Sequence, residues 1–234
     1  MTSPNNQHSG AAAALSASRK AQSVVRLVDD DESVLRALSV FLAFDDWQLR
    51  TYSSADAFLA GDDFTRPGCA VLDVRMPGMS GIELFDEMRR RGIGLPVIFL
   101  SAHGDIEMAV DAVRRGAKTF LVKPPKPEKL LEAISQATAD DWKRRREEAY
   151  AATLDAQWKK LTPAEAQVAV MVGKGLSNAV IAEAIGVSER TVRAQRASIY
   201  EKLDIENAVE LSDFLHELQD AGKSPQEKNG MREQ

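Results

Sequence analysis

Between Val24 and Ala137, short apolar runs alternate five times with stretches of helical periodicity. Val24 to Val28 precedes Ser33 to Phe44, Trp47 to Thr51 precedes Ala55 to Ala60, and Cys69 to Leu72 precedes Gly81 to Arg90. Pro96 to Leu100 then precedes Asp105 to Arg115, and Thr119 to Val122 precedes Pro127 to Ala137. Few folds accommodate this pattern. Each right-handed crossover returns the chain to the same strand direction, which predicts a parallel sheet with helices on both faces. The span of about 115 residues is an ordinary domain size. Val34, Leu35, Leu38, Phe41 and Leu42 follow helix spacing, as do Ile106, Ala109, Val110 and Val113, and both stripes read as core.

After Ala139 the strand signal stops. The run Asp-Asp-Trp-Lys-Arg-Arg-Arg-Glu-Glu-Ala-Tyr favours helix, and residues 139–160 read as a helical linker. Lys143 to Arg146 could touch DNA, but acidic pairs flank the run, which favours a solvated helix face. Thr162, Pro163 and Glu165 then form a helix-start signature. Gly173 and Gly175 end that helix, Ser177 or Asn178 caps a second through Ile185, and Gly186 makes a turn. Ser188 caps a third helix through about Leu203, and Glu206 to Leu218 forms a fourth. Two helices joined tightly at Gly186, inside a four-helix unit, match the helix-turn-helix plan. The expected division is a disordered tail over 1–22, an α/β domain over 23–138, the linker, a helix-turn-helix domain over 161–219, and a disordered tail over 220–234.

Composition narrows the function classes. A formal charge of −5 gives no global field for nucleic acid or an anionic membrane, so any DNA contact must come from a local basic face. The single cysteine, Cys69, excludes an internal disulfide; its apolar setting predicts buried packing in a reducing cytoplasm. No apolar run approaches the roughly 20 residues of a membrane span. Ala11 to Leu15 is followed, not preceded, by Arg19 and Lys20, which is the wrong order for a secretory signal.

Polar residues sit where the predicted strands end: Asp29 and Asp30, Asp73, Ser101 and Lys123. Parallel strands bring such ends to one edge of the sheet. Asp73 closes the run Cys-Ala-Val-Leu-Asp, faces solvent on this reading, and is the candidate phosphate acceptor. Three crowded carboxylates repel one another, and a hard divalent cation with oxygen ligands, Mg²⁺, resolves the repulsion. Phosphoryl transfer needs positioning and charge neutralisation, which the cation and the Lys123 ammonium supply, while the Ser101 hydroxyl can donate to a phosphoryl oxygen. His103 lacks a companion imidazole or thiolate and reads as a loop residue.

Leu-Val-Asp-Asp-Asp from Leu27, Leu-Asp-Val-Arg-Met-Pro-Gly from Leu72, Phe-Leu-Ser-Ala-His-Gly-Asp from Phe99 and Phe-Leu-Val-Lys-Pro from Phe120 resemble the receiver domain of two-component response regulators. The resemblance implies a flavodoxin-like sheet of order 2-1-3-4-5 and a phosphoacceptor at Asp73. It places Mg²⁺ on Asp29, Asp30, Asp73 and the backbone carbonyl of Arg75. Ser101 and Phe120 would be the switch pair, and Lys123 would contact the phosphoryl group and precede a cis proline, Pro124. The face from about Asp105 to Ala137 would change shape, with Ile106 and Val110 as dimerisation candidates.

Leu-Thr-Pro-Ala-Glu at Leu161, Gly-Leu-Ser-Asn at Gly175 and Val-Ser-Glu-Arg-Thr-Val-Arg at Val187 resemble the LuxR-type helix-turn-helix domain. The combined architecture resembles the FixJ branch of the NarL/FixJ response regulators. Gln195 stands where that family commonly has histidine, and Ala164 where it commonly has a basic residue, which weakens any transfer of base preference. Residues 159–219 hold seven basic against nine acidic residues, net −2, whereas 188–203 alone is net +2. On a helical projection Val192, Ile199 and Leu203 form the buried stripe with Arg196 at its edge. Arg190, Arg193, Ala194 and Ala197 are then the major-groove candidates, and Ser188, Thr191 and Arg196 the phosphate candidates.

The sequence therefore reads as a cytoplasmic transcriptional regulator phosphorylated at Asp73 by a sensor histidine kinase. It would dimerise and bind double-stranded promoter DNA, with RNA polymerase as a further candidate partner. One alternative is a DNA-binding regulator whose receiver is a phosphorylation-independent interaction module. Another is an aspartyl-phosphate phosphatase; enzymes of the haloacid-dehalogenase type want a second aspartate two residues after the nucleophile, where this chain has Arg75.

Overall fold

The computed structural model describes residues 18–102, 111 and 113–223. They form two compact units that divide between Arg145 and Arg146. The first contains β1 (Val24–Val28), α1 (Glu32–Ala43), β2 (Gln48–Tyr52), α2 (Ala55–Gly61), β3 (Gly68–Asp73), α3 (Gly81–Arg90), β4 (Val97–Ser101) and β5 (Thr119–Val122). Helix α4 (Pro127–Trp158) leaves this unit, and α5 (Pro163–Gly173), α6 (Asn178–Ile185), α7 (Glu189–Leu203) and α8 (Ala208–Asp220) belong to the second.

The five strands are parallel in the order β2-β1-β3-β4-β5. Chain direction across the sheet reverses between β1 and β3, which places Asp29, Asp30 and Asp73 at the switch point where such sheets hold ligands. β1, β3 and β4 are buried along their whole length because helices cover both faces. One face packs Leu72, Phe99, Leu84 and Met88, and the other packs Leu27, Val71, Leu38 and Ile134. Cys69 is fully buried, and burial pushes its thiol up to about 12.

β1 carries one charged residue, Arg26, which is also fully buried. Its guanidinium donates to Asp62 at 2.8 Å and to the carbonyls of Val24 and Arg66. The Tyr52 hydroxyl donates to the same carboxylate at 2.7 Å, and burial followed by that contact pushes the phenol up to about 12. Partnered in this way, a buried cation is tolerated in an otherwise apolar strand.

Three local expectations change. Residues 18–22 are helical, whereas the sequence suggested no element there; residues 1–17 and 224–234 lie outside the described set. The segment expected as a helical linker is helical but has no break before it: residues 127–158 form a single 32-residue helix. Val113, assigned to a core stripe, is 43% exposed. Ile106, Ala109 and Val110 of that stripe, with His103, lie outside the described residues.

In the second unit, Thr162 caps α5 in a reciprocal capping box with Glu165, Ser177 caps α6, Gly186 ends it in the left-handed region, and Ser188 caps α7. Leu161, Val168, Ile181, Val192, Ile199, Leu203, Leu211 and Phe214 form its core, with Leu154 from the end of α4. Among the described residues no helix is long and apolar enough to cross a membrane.

Candidate phosphoacceptor and DNA-binding sites

The turn after β1 is set by Asp31. Its carboxylate caps α1, accepting from the Ser33 amide at 2.7 Å and the Ser33 hydroxyl at 2.6 Å. Capping therefore falls to the third aspartate of the run, and Asp29 and Asp30 serve the sheet edge. The Asp31 amide donates to Asp29 at 3.0 Å, which fixes the buried Asp29 carboxylate. Asp73 ends β3, the strand between β1 and β4, and stands in register with Leu100 of β4. Carboxylate oxygens of Asp29, Asp30 and Asp73 all lie within 4.8 Å of one another.

Lys123 follows β5 and reaches back over this cluster. Its ammonium donates to Asp29 at 2.5 Å and pairs with Asp73 at 2.9 Å. The peptide bond between Lys123 and Pro124 is cis. Burial works against the ammonium charge, but the bonds to Asp29 and Asp73 outweigh it and hold Lys123 above its ordinary range. For Asp73 the balance is opposite: burial dominates and raises the carboxyl, against the hydrogen bond and charge of Lys123. Asp73 was expected to face solvent; instead it is 8% exposed, with the Lys123 ammonium 2.9 Å from its carboxylate. Ser101 ends β4, fully buried, with its hydroxyl donating to the Ala102 carbonyl at 3.2 Å. Phe120, in β5, is half-buried against the core cluster of Phe99. The Arg75 side chain is exposed.

Gly81 belongs to the site although its chemistry gives no hint of it. A Cβ there would lie 2.0 Å from the Asp73 carbonyl oxygen, so the first turn of α3 packs directly on the backbone of Asp73. Any side chain would push Asp73 or the helix away. The Ser80 to Glu83 capping box fixes the same turn.

In the second unit α7 presents Arg190, Arg193, Ala194 and Ala197 on an exposed face, and Val192, Ile199 and Leu203 are buried as the projection required. The Ser188 hydroxyl accepts from the Thr191 amide at 3.2 Å and shares a hydrogen bond with the Thr191 hydroxyl. Arg196 is less available. It donates to Asn178 at 2.8 Å and to the Tyr200 hydroxyl at 2.9 Å, and so braces α6 against α7. Lys202 is held on the other side by Glu165, at 2.6 Å. Arg193 pairs weakly with Glu189 at 3.4 Å, and among the described residues Arg190 has no ion-pair or hydrogen-bond partner. The net +2 of this helix therefore overstates the charge it can offer a phosphate backbone.

The family described as the response regulator receiver domain matches residues 25–135, and the luxR family of bacterial regulatory proteins matches 159–215. The response regulator protein TmoT of Ectopseudomonas mendocina is 36% identical over 202 residues, covering 86% of this chain and 92% of that protein. The chain is a response regulator of the NarL/FixJ family. The transcriptional regulatory protein FixJ of Azorhizobium caulinodans is 36% identical over 188 residues, covering 80% of this chain and 89% of that one. Among solved structures, the response regulator StyR aligns with TM-score 0.78 and 37% identity, over 83% of this chain and 98% of that one.

Within this response regulator, the strand-end residues Asp29, Asp30, Asp73 and Lys123 come together as one cluster. Sequence reading missed the Asp31 cap, the Gly81 approach and the partners of Arg196 and Lys202. Asp31 carried a usable signal, since a third aspartate directly before an apolar helical run is a cap. The Gly81 approach depends on how the chain after β3 folds back on Asp73, and Asn178 and Glu165 lie 18 and 37 residues from Arg196 and Lys202.

Proposed function

We propose that this transcriptional regulator is switched by Mg²⁺-dependent phosphorylation of Asp73 by a sensor histidine kinase. On this proposal the phosphorylated form dimerises, through the face around Asp105 to Ala137, and binds promoter DNA in the cytoplasm. The observation that carries the reading is the cluster itself: three carboxylates within 4.8 Å, with Lys123 at 2.5 and 2.9 Å from two of them. An all-oxygen, acidic donor set suits a hard divalent cation, and Asp29, Asp30, Asp73 and the Arg75 carbonyl are the residues that would hold Mg²⁺. When bound, Mg²⁺ supplies charge neutralisation at the phosphoryl oxygens.

The chain's own groups do the rest. An Asp73 carboxylate oxygen attacks phosphorus and keeps the phosphoryl group, while the donor leaves with its bonding electrons. Lys123, already paired with Asp73, stays beside the added negative charge and balances it. The Ser101 hydroxyl, turned to a carbonyl in the resting state, has a stronger acceptor to turn towards, and Phe120, on the neighbouring strand β5, is the group that repacks. In the DNA-binding unit Arg190 and Arg193 read the major groove beside Ala194 and Ala197, and Ser188 and Thr191 meet phosphates. With so few available cations, specific binding requires two copies on paired half-sites.

Acetyl phosphate with Mg²⁺ is expected to add one phosphoryl mass to the chain and to raise its affinity for a duplex selected from a random pool. Phosphorylation with no change in DNA affinity would overturn the regulatory half of the reading. The metal assignment has a separate test. Asp30→Ala is expected to weaken Mg²⁺ binding by at least the roughly 10–100-fold that loss of an outer-shell partner costs, and Arg75→Ala to leave it within about twofold. Calorimetric Mg²⁺ titration of the two variants checks this contrast.

A further inference from the structure

At the sheet edge opposite the carboxylate cluster, helix α4 grips the beginning of the strand that carries Asp73. The Asp141 side chain is completely buried. One of its oxygens accepts from the backbone amide of Gly68, the first residue of β3, at 3.0 Å and from Arg145 Nε at 2.8 Å, while the other accepts from Arg144 at 2.5 Å. The remaining Arg145 nitrogens donate to the carbonyls of Thr65 and Phe64, both at 2.8 Å. Trp142 donates from its indole to the buried Ser23 hydroxyl at 2.9 Å, just before β1. The basic run expected to be a solvated face is therefore partly a clamp.

The strand start has no slack. A Cβ on Gly68 would lie 1.9 Å from the Val24 carbonyl oxygen, and Phe64 holds a left-handed backbone at φ 52°, with its amide bonded to Asp62. β3 thus has Asp73 at one end and the Asp141 contact at the other. The clamp ends at Arg145, where the receiver unit ends, and α4 continues to Trp158. Burying a carboxylate is a costly way to hold a helix that apolar contacts would hold as well; what the charged, directional contact adds is a fixed register.

We propose that Asp141 and Arg145 are positioning residues that couple the state of the Asp73 strand to DNA binding, an inference that rests on the phosphorylation reading above. They take no part in phosphoryl transfer. Loss of the clamp leaves Asp73 chemistry intact and disconnects it from the output.

The test compares the parent chain with Arg145→Gln, Asp141→Asn and Arg146→Gln. Arg146 is exposed and is the first residue beyond the clamp, so its variant removes one positive charge without touching the clamp. Affinity for the selected duplex is measured with and without beryllofluoride and Mg²⁺, and the ratio is the coupling. Acetyl phosphate labelling and hydrogen exchange across 62–69 and 139–146 are followed in parallel. Arg145→Gln, at a partly exposed position, carries the test should Asp141→Asn fail to fold.

The expected result is faster exchange in both segments of Arg145→Gln, labelling within about twofold of the parent, and a ratio reduced about fivefold or more, the low end of ordinary coupling energies. Arg146→Gln keeps the parent ratio. A parent ratio in Arg145→Gln despite faster exchange would overturn the proposal. So would equal affinity losses in Arg145→Gln and Arg146→Gln in both states, which is the signature of a phosphate contact. A parent chain that labels but shows no ratio fails at the regulatory reading, before any variant is compared.

Discussion

Asp73→Asn is expected to abolish acyl-phosphate formation while leaving the receiver folded. The amide has nearly the shape of the carboxylate but no anionic oxygen to attack phosphorus, and no other carboxylate in the cluster holds its place at the end of β3 between β1 and β4. Lys123 keeps its partner at Asp29, 2.5 Å away, so no buried ammonium is left unpaired. Removing one of three carboxylates within 4.8 Å also relieves repulsion in the metal-free chain. The variant should melt at or above the temperature of the parent without Mg²⁺, take no label from acetyl phosphate, and lose the phosphodonor-dependent rise in DNA affinity. Labelling that persists in Asp73→Asn would place the acceptor elsewhere. A sharp fall in melting temperature would mean that the carboxylate has a structural task this geometry does not give it.

The second large effect is expected in the DNA-binding unit, from Glu165→Ala. Glu165 is buried, closes the capping box of α5 with Thr162, accepts from Ser198 at 2.7 Å and from Lys202 at 2.7 and 2.6 Å, and thereby ties α5 to α7. Burial raises its carboxyl, but the bonds from Lys202, Ser198 and Thr162 outweigh it and hold the group at about 2, against an ordinary 4.5. Breaking a buried ion pair commonly costs about 3–5 kcal/mol; Lys202 is a third exposed, which lowers the expected loss to about 2–3 kcal/mol.

The sign of the pH dependence follows from the depressed carboxyl. Its stabilising contribution is complete above the unfolded value near 4.5 and is lost as pH falls towards 2. Acidification across that window should weaken the parent's DNA-binding unit, and Glu165→Gln should flatten that part of the profile. Hydrogen exchange over 163–203 of the full chain, at a series of pH values, reads both effects. A Glu165→Gln profile as steep as the parent's would rule out Glu165 as the group responsible. A double-mutant cycle with Lys202→Met then isolates the pair, with an expected coupling of about 1–3 kcal/mol.

The basic residues of α7 show where sequence reading is strong and where it stops. Val192, Ile199 and Leu203 were assigned to the core from periodicity alone, and all three are buried, because helical geometry fixes the angle between successive residues. The same periodicity put Arg196 at the edge of the stripe but could not reveal that Asn178 and Tyr200 hold it, since Asn178 lies 18 residues away. Val113 failed for a related reason: spacing identifies an apolar face without specifying what covers it. The run Lys143 to Arg146 was read from its acidic flanks, whereas Arg145 finds its acceptors at Phe64 and Thr65, about 80 residues back.

The sequence by itself determined the alternation of strand and helix, the parallel sheet, the strand-end positions of Asp29, Asp30, Asp73 and Lys123, and the helix caps of the second unit. All of these follow from local periodicity and from residue types whose backbone preferences act over a few positions. Only the tertiary structure decided that Gly81 packs on Asp73, that Glu165 holds Lys202, and that Asp141 reaches Gly68. Those contacts join segments whose proximity is set by core packing, and a buried carboxylate reveals its partner only once the chain has closed around it.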